Sequence, residues 1–289
     1  MTGTAFADLP HQSVSVPGGH IQYRRTSPRS AEGSSPPLLF LHGVFVNGNV
    51  WRGVVDRLAD TFDCVVPDLP FGSHEVPMDA TADLTPLGVA DVISNLIQAL
   101  DLAPVRLVAN DSGGAFAQIL TAQQPDLIDS LVLTNCDCYG NFFPLIFRYL
   151  TPLSRVRGGL FPVAHALRFR AVRRSPLAYG WSTARPLPRD VERAYVAPLR
   201  HSDIRRDIAK VMRDVHPRYT RAAIVTLRSF ERPVLIVWGD ADKYFPIRLG
   251  RQLASDIPNA RFVAIPGARA FLPEDAPHEL ADAIREFYA

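Results

Sequence analysis

Residues 105–114 read V-R-L-V-A-N-D-S-G-G. An apolar run (Val105, Leu107, Val108, Ala109) stops at Asn110-Asp111-Ser112, and two glycines then open a segment whose apolar residues, Ala115, Phe116, Ile119 and Leu120, recur at helical spacing. That order predicts a strand, a sharp turn and a helix. The small residues Ala109, Gly113 and Gly114 flank the turn, as required where strand end and helix start pass too closely for a Cβ. The apex of such a turn points into a cleft above the sheet. Asp111 stands at the apex. Ser112 is the competing apex, although that register puts Asn110 where a small residue is wanted.

Strand and helix signals alternate along most of the remaining chain, which predicts an α/β protein with a mostly parallel sheet. Val14 and Val16, then Ile21 and Tyr23, alternate around Pro17-Gly18-Gly19-His20 as a hairpin, followed by a loop over 27–37. Leu38 to Leu41 is a buried strand entering His42-Gly43-Val44; Trp51, Val54, Val55 and Leu58 share a helical face; Cys64 to Val66 is a strand ending at the Pro- and Gly-rich 67–72 loop. Thr85-Pro86 reads as a capped helix start. Leu131 to Asn135, Val234 to Trp238 and Phe262 to Ile265 are further strands, and Pro277 to Tyr288 is a closing amphipathic helix. Between Tyr139 and about Val215 prolines and arginines interrupt helical pieces, and no strand is convincing.

The elbow at 110–114, the His42-Gly43 pair and the strand leading to Gly239-Asp240-Ala241-Asp242 resemble the α/β-hydrolase superfamily, and Asp111 at the apex resembles its aspartate-nucleophile branch, which includes haloalkane dehalogenases and soluble epoxide hydrolases. The resemblance implies an α/β-hydrolase fold with helices flanking the sheet. A core of 1–138 and 216–289 would carry a helical cap, 139–215, inserted after strand six. It also implies Asp242 as the acid, or Asp137 at the alternative acid position, and an oxyanion hole from the N–H groups of Val44 and Ser112. His42, Phe45, Asn47, Trp51, Arg269 and Phe271 are the candidate residues around the binding cleft. A carboxylate with an ordinary pKa near ~4 is ionised at neutral pH and suits attack on saturated carbon, giving an ester on Asp111.

Hydrolysis of that ester needs a base, and here the chain departs from the family. Its histidine belongs at or beside position 270, where Ala270 follows Arg269; the nearest histidine, His278, lies beyond Pro277. Loss of a general base commonly costs about 10²- to 10⁴-fold. Three accounts follow: a replaced histidine that leaves a trapped ester, a substitute base of which His74 after the 67–72 loop is the best candidate, or chemistry without ester hydrolysis, as in a cofactor-independent lyase, isomerase or cyclase. A binding protein that has lost its base is a further reading. The subfamily residues are missing too, since Val44 and Ser112 stand where dehalogenases carry asparagine and tryptophan. Tyr149, Tyr179, Tyr195 and Tyr219 could serve epoxide opening.

The resemblance implies a small, largely apolar organic substrate. The chain's net charge of +2 conceals a basic segment, 140–232, with 19 Lys/Arg against 6 Asp/Glu. No nucleic-acid-binding motif accompanies it, so nucleic acid is not expected. No run approaches the ~20 apolar residues of a membrane span, and residues 1–10 lack a basic region followed by an apolar core. Cys64, Cys136 and Cys138 fit a reducing compartment; together these readings predict a cytoplasmic protein without stable membrane insertion. No metal-ligand spacing joins Asp111, Asp137, Asp242 and His74, so neither a metal nor a cofactor is expected.

Overall fold

In the computed structural model, which describes residues 5–26 and 35–289, the strands are β1 (Gln12–Val16), β2 (Gly19–Arg25), β3 (Leu38–Leu41), β4 (Cys64–Asp68), β5 (Val105–Asp111), β6 (Ile128–Cys136), β7 (Val234–Gly239) and β8 (Ala260–Ile265). They form one sheet in the order β1-β2-β4-β3-β5-β6-β7-β8. The β1–β2 and β2–β4 pairs are antiparallel and the other five are parallel. Every residue of β3 and β7 is buried, which explains why these strands read as unbroken apolar runs. The hairpin turns at Pro17-Gly18, where Gly18 takes φ +89°. Most of the loop expected over 27–37, and the start of the 1–10 stretch, lie outside the described residues.

Among the described residues there are twelve α-helices: α1 (Arg52–Leu58), α2 (Pro86–Ala99), α3 (Ser112–Gln123), α4 (Leu150–Arg155), α5 (Phe161–Ala166), α6 (Arg170–Arg173), α7 (Arg189–Val196), α8 (Ser202–Arg213), α9 (Pro217–Leu227), α10 (Ile247–Asp256), α11 (Leu272–Asp275) and α12 (Pro277–Phe287). The Thr85 hydroxyl caps α2 by accepting the Gly88 N–H at 3.2 Å. Helix α3 packs between α2 and α9, while α1 rests on α12. Helices α4 to α9 occupy the interval between β6 and β7. Among the described residues no helix is long and apolar enough to cross a membrane.

Tyr195 makes two of the connections that bind the helical interval to the rest. Arg52 holds Glu274 through two hydrogen bonds of 2.6 and 2.7 Å, and the Tyr195 hydroxyl from α7 donates to the same carboxylate at 2.9 Å. The Ser73 hydroxyl donates to the Tyr195 carbonyl at 2.6 Å. Paired charges that share a buried hydroxyl avoid the desolvation cost of isolated ones.

Candidate active site

Asp111 ends β5 and stands immediately before α3 with φ 55° and ψ −132°, a conformation that costs a non-glycine residue about 1–3 kcal/mol. The surroundings hold it there by close approach. A Cβ on Gly113 would lie 2.6 Å from the His42 carbonyl oxygen, one on Gly114 would lie 2.3 Å from Cys136 Cβ, and one on Gly43 would lie 2.4 Å from Asp111 Oδ2. The three glycines therefore form the floor and walls of the elbow. Cys136 and Cys138 are buried free thiols, and Cys136 fills space beside the elbow.

Asp111, Val44 and Ser112 line one cavity, and Ser112 Oγ donates to Asp111 Oδ1 at 3.4 Å. The walls are largely apolar, with Phe143, Phe147, Leu150, Met212 and Phe271. The cavity measures about 60 Å³. Tyr179 and Tyr244 also line it, yet each donates its hydroxyl elsewhere: Tyr179 to the Phe45 carbonyl at 2.7 Å and Tyr244 to the Pro176 carbonyl at 2.8 Å. Of the other tyrosines noted in the sequence, Tyr195 is buried against Glu274 and Tyr149 is exposed.

Burial and the charge of Asp242 push the Asp111 carboxyl up to about 7, against the hydrogen bonds from the Ser112 backbone and hydroxyl. This corrects the expectation of an ordinary carboxylate pKa. Asp242 is raised to about 6, chiefly by burial, although it accepts the Tyr244 N–H at 2.7 Å, the Phe245 N–H at 3.1 Å and the Asn135 amide at 2.7 Å. Asp137 is fully buried with neither carboxyl oxygen hydrogen-bonded, and desolvation and the charge of Asp111 hold it far above the usual range. Three buried carboxyls thus gather here, and burial disfavours the charged form of each.

His74 does not join them. Its Nδ1 accepts the Gly72 N–H at 3.3 Å and its Nε2 lies 3.3 Å from Asp207 Oδ2, so both nitrogens are engaged away from Asp111. A substitute-base role for His74 is corrected by this pairing. His42 is also internal: Nδ1–H donates to the Gly43 carbonyl at 2.8 Å, Nε2 accepts the Leu69 N–H at 2.9 Å, and burial depresses its pKa to about 4. It is a neutral strut shaping the turn after β3, not a cleft residue.

Several other candidates prove to be scaffold. Trp51 is buried against Phe40, with ring centroids 5.1 Å apart. The Asn47 carboxamide accepts the Asn49 N–H at 3.2 Å and donates to the Ser73 carbonyl at 3.3 Å. Phe45 reaches the cavity wall only by accepting the Tyr179 hydroxyl on its carbonyl. Arg269 does not pair with Asp242: its Nη1 donates to the Thr183 carbonyl at 2.9 Å, and its backbone N–H donates to Asp275. Phe271 does line the cavity.

Two asparagines absent from the candidate list organise the site. Asn110 donates to Thr134 Oγ1 at 2.9 Å and to the Ala270 carbonyl at 2.8 Å. Asn135 accepts the Gly239 N–H at 2.7 Å while donating to Asp242. Each stands at the end of an apolar strand, the one available signal, since a buried amide there must find partners. Ala270 is 1% exposed, held between Asn110 and a Phe271 N–H bond of 2.7 Å to the Ser182 carbonyl.

A family model described as the alpha/beta hydrolase fold matches residues 36–158. Haloalkane dehalogenase 2 of Mycobacterium tuberculosis is 29% identical over 263 residues, covering 88% of each chain. Cis-3-alkyl-4-alkyloxetan-2-one decarboxylase of Xanthomonas campestris is 27% identical, covering 99% of this chain and 98% of that one. Among solved structures, a loop variant of a haloalkane dehalogenase from Bradyrhizobium elkanii superposes with a TM-score of 0.77 at 22% identity, covering 97% and 96% of the two chains. An alpha/beta hydrolase fold protein from Burkholderia ambifaria gives 0.78 at 24% identity, covering 96% of this chain and all of that one. With an elbow at the end of β5 in a sheet of this order, the chain has the α/β-hydrolase fold and is similar to haloalkane dehalogenases.

Proposed function

We propose that this chain is an enzyme that attacks a small, largely apolar organic substrate with the Asp111 carboxylate, forming an ester on that residue. The observation that carries the reading is Asp111 itself, in the elbow conformation at the carboxyl end of β5 and lining an apolar-walled cavity. Val44 and Ser112 beside it are the oxyanion-hole residues of this proposal, and Asp242, cradled by three donors, is the supporting acid. Helices α4 to α8 act as the cap that closes the cavity. At about 60 Å³ the cavity is well below the roughly 300 Å³ at which small-molecule sites begin, so a substrate with alkyl arms has to part Phe143 and Phe147 from Met212 and Phe271.

Dehalogenation and epoxide hydrolysis share this first step but fit the rest of the site poorly. Neither Val44 nor Ser112 offers the side-chain N–H pair that would grip a halide, the cavity tyrosines give their hydroxyls to carbonyls, and no histidine faces Asp111 to activate water. Ala270 favours a second step that needs no water, and the decarboxylase relative points to a substrate that permits one. In a β-lactone, Asp111 attacks the saturated ring carbon that bears oxygen; the ring C–O bond breaks and leaves a carboxylate on the neighbouring carbon. That carboxylate departs as carbon dioxide, its C–C electron pair becomes the alkene, and the Asp111 carboxylate is expelled. Atoms and charge balance without a base, and the enzyme returns unchanged.

The test offers the protein alkyl halides, terminal epoxides and a cis-3,4-dialkyloxetan-2-one, and follows intact mass, headspace carbon dioxide and products. A lasting Asp111 adduct with halide or epoxide, together with alkene and carbon dioxide from the lactone, supports the reading. Hydroxy-acid from the lactone, with oxygen-18 taken from water, would replace it by a hydrolase using another base. Binding without adduct or product would leave a ligand-binding protein.

A further inference from the structure

A second cavity, of about 550 Å³, lies among α5, α6, α7 and α8 and shares no lining residue with the Asp111 cavity. Its chemistry is the opposite of the first. Between residues 161 and 206 the chain has ten arginines and three acids, and most of those arginines line this hollow.

The one buried acid is already shared. Glu192, 2% exposed, meets Arg173 Nε at 3.2 Å, Arg174 Nε at 3.6 Å and Arg170 Nε at 3.8 Å. Arg173 is further fixed by donating to the Leu167 and Arg168 carbonyls, and Arg205 by donating to the Leu199 and Arg200 carbonyls. The remaining cavity arginines, Arg168, Arg189, Arg193 and Arg200, have neither an ion pair nor a side-chain hydrogen bond among the described residues. The Nε of Arg170 is out of solvent and lacks a hydrogen bond as well. Arg189 and Arg193 lie one turn apart on α7, so their charges add on one face. Like charges gathered in a concave wall repel one another unless an anion sits between them, and planar guanidinium forks match phosphate oxygens.

The wall also has an apolar side, formed by Ala164, Val196 and Leu199, with Phe161 at its edge. Phe161 is 55% exposed, with the Arg205 guanidinium 5.4 Å from its ring centroid and the His165 ring 6.2 Å away. An exposed ring beside a cation cluster is a surface on which a flat heterocycle stacks.

We propose that this cavity binds a nucleotide-class polyphosphate, with the linked phosphates among Arg168, Arg189, Arg193 and Arg200 and the base against Phe161. One phosphate carries about −1.5 to −2 charges and falls short of four unpaired guanidiniums; two or three linked phosphates match them. The cavity volume is in the range of sites for molecules of that size.

Calorimetric titration of the full chain with ATP, and separately with tripolyphosphate, tests the assignment, and it reads binding alone, so its result is independent of what Asp111 does. ATP is expected to bind in the micromolar range, with affinity falling as salt rises. The Arg189→Ala/Arg193→Ala pair is expected to weaken both ligands at least tenfold. Phe161→Ser is expected to weaken ATP about fivefold and leave tripolyphosphate unchanged. Arg200→Ala is the second, independent variant if the pair lowers the melting temperature. The proposal is overturned by absence of ATP binding at millimolar concentration, by equal affinity in the arginine variants, or by binding seen only to phosphatidylglycerol vesicles, which would make the surface a lipid contact.

Discussion

The Asn110 side-chain amide donates to the carbonyl oxygen of Ala270 at 2.8 Å, so the residue preceding Asp111 pins the loop position at which the sequence resemblance would place a histidine. The backbone of that position is therefore settled before any side chain is placed on it. Ala270 is nearly fully buried, and an imidazole there must displace neighbours at a cost of about 1–3 kcal/mol. Ala270→His is expected to melt a few degrees lower and yet to release an epoxide-derived Asp111 adduct that the parent protein retains. Time-resolved intact mass decides: an adduct equally persistent in both proteins would refute the placement.

Alkylation of Asp111 is expected to speed up as pH rises through about 7, because only its ionised form is a nucleophile and burial with the Asp242 charge has raised its pKa to that value. Asp242→Asn removes the like charge and is expected to move the midpoint to lower pH. Asp137→Asn is expected to leave the midpoint nearly in place, since burial already disfavours the charged form of Asp137. Labelling by an alkyl bromide, whose own reactivity does not change with pH, measures all three.

Stability is expected to depend on pH with the sign opposite to that of a salt-bridged carboxylate. Asp111, Asp242 and Asp68 have folded pKa values of about 7, 6 and 6, all above their unfolded values. Their contribution is fully present below pH 4 and is lost as pH rises to about 7. Asp242→Asn is expected to flatten that part of the profile. Melting temperatures at pH 5 and pH 8 for parent and variant give the check; a parent that gains stability from these groups on going to pH 8 would contradict the burial described.

Gly43→Ala is expected to abolish Asp111 alkylation and lower stability by roughly 2–4 kcal/mol. The added methyl would clash with Asp111 Oδ2 and lie 2.6 Å from both its Cβ and its Cγ, so the whole side chain would have to shift. Normal labelling in a folded Gly43→Ala protein would show that the carboxyl can leave this position.

Asn135→Ala is expected to cost about 3 kcal/mol, because it leaves the Gly239 N–H unpaired and removes one of three donors to a buried carboxylate. Loss of that donor also raises the Asp242 pKa further. Chemical denaturation measures the first effect, and the labelling profile of Asp111 reads the second.

The order of strands and helices, the parallel sheet and the elbow were legible in the residues, because hydrophobic period, glycine spacing and the Thr85-Pro86 cap are local properties that need no partner. The strand ends were less so: β6 extends to Ile128–Cys136 because sheet neighbours recruit residues whose own pattern is weak. Asp111 could be named from the strand-turn-helix pattern, and Asp242 from the resemblance of its turn to the family's acid turn. Which polar residues meet was decided by tertiary packing alone. His74 faces Asp207 from α8, Arg269 faces Thr183, and Asn110 reaches across 160 residues to Ala270. The ionisation of Asp111 belongs to the same class. A carboxyl's pKa is ordinary in the isolated residue and is raised only when folding strips its water and brings Asp242 near.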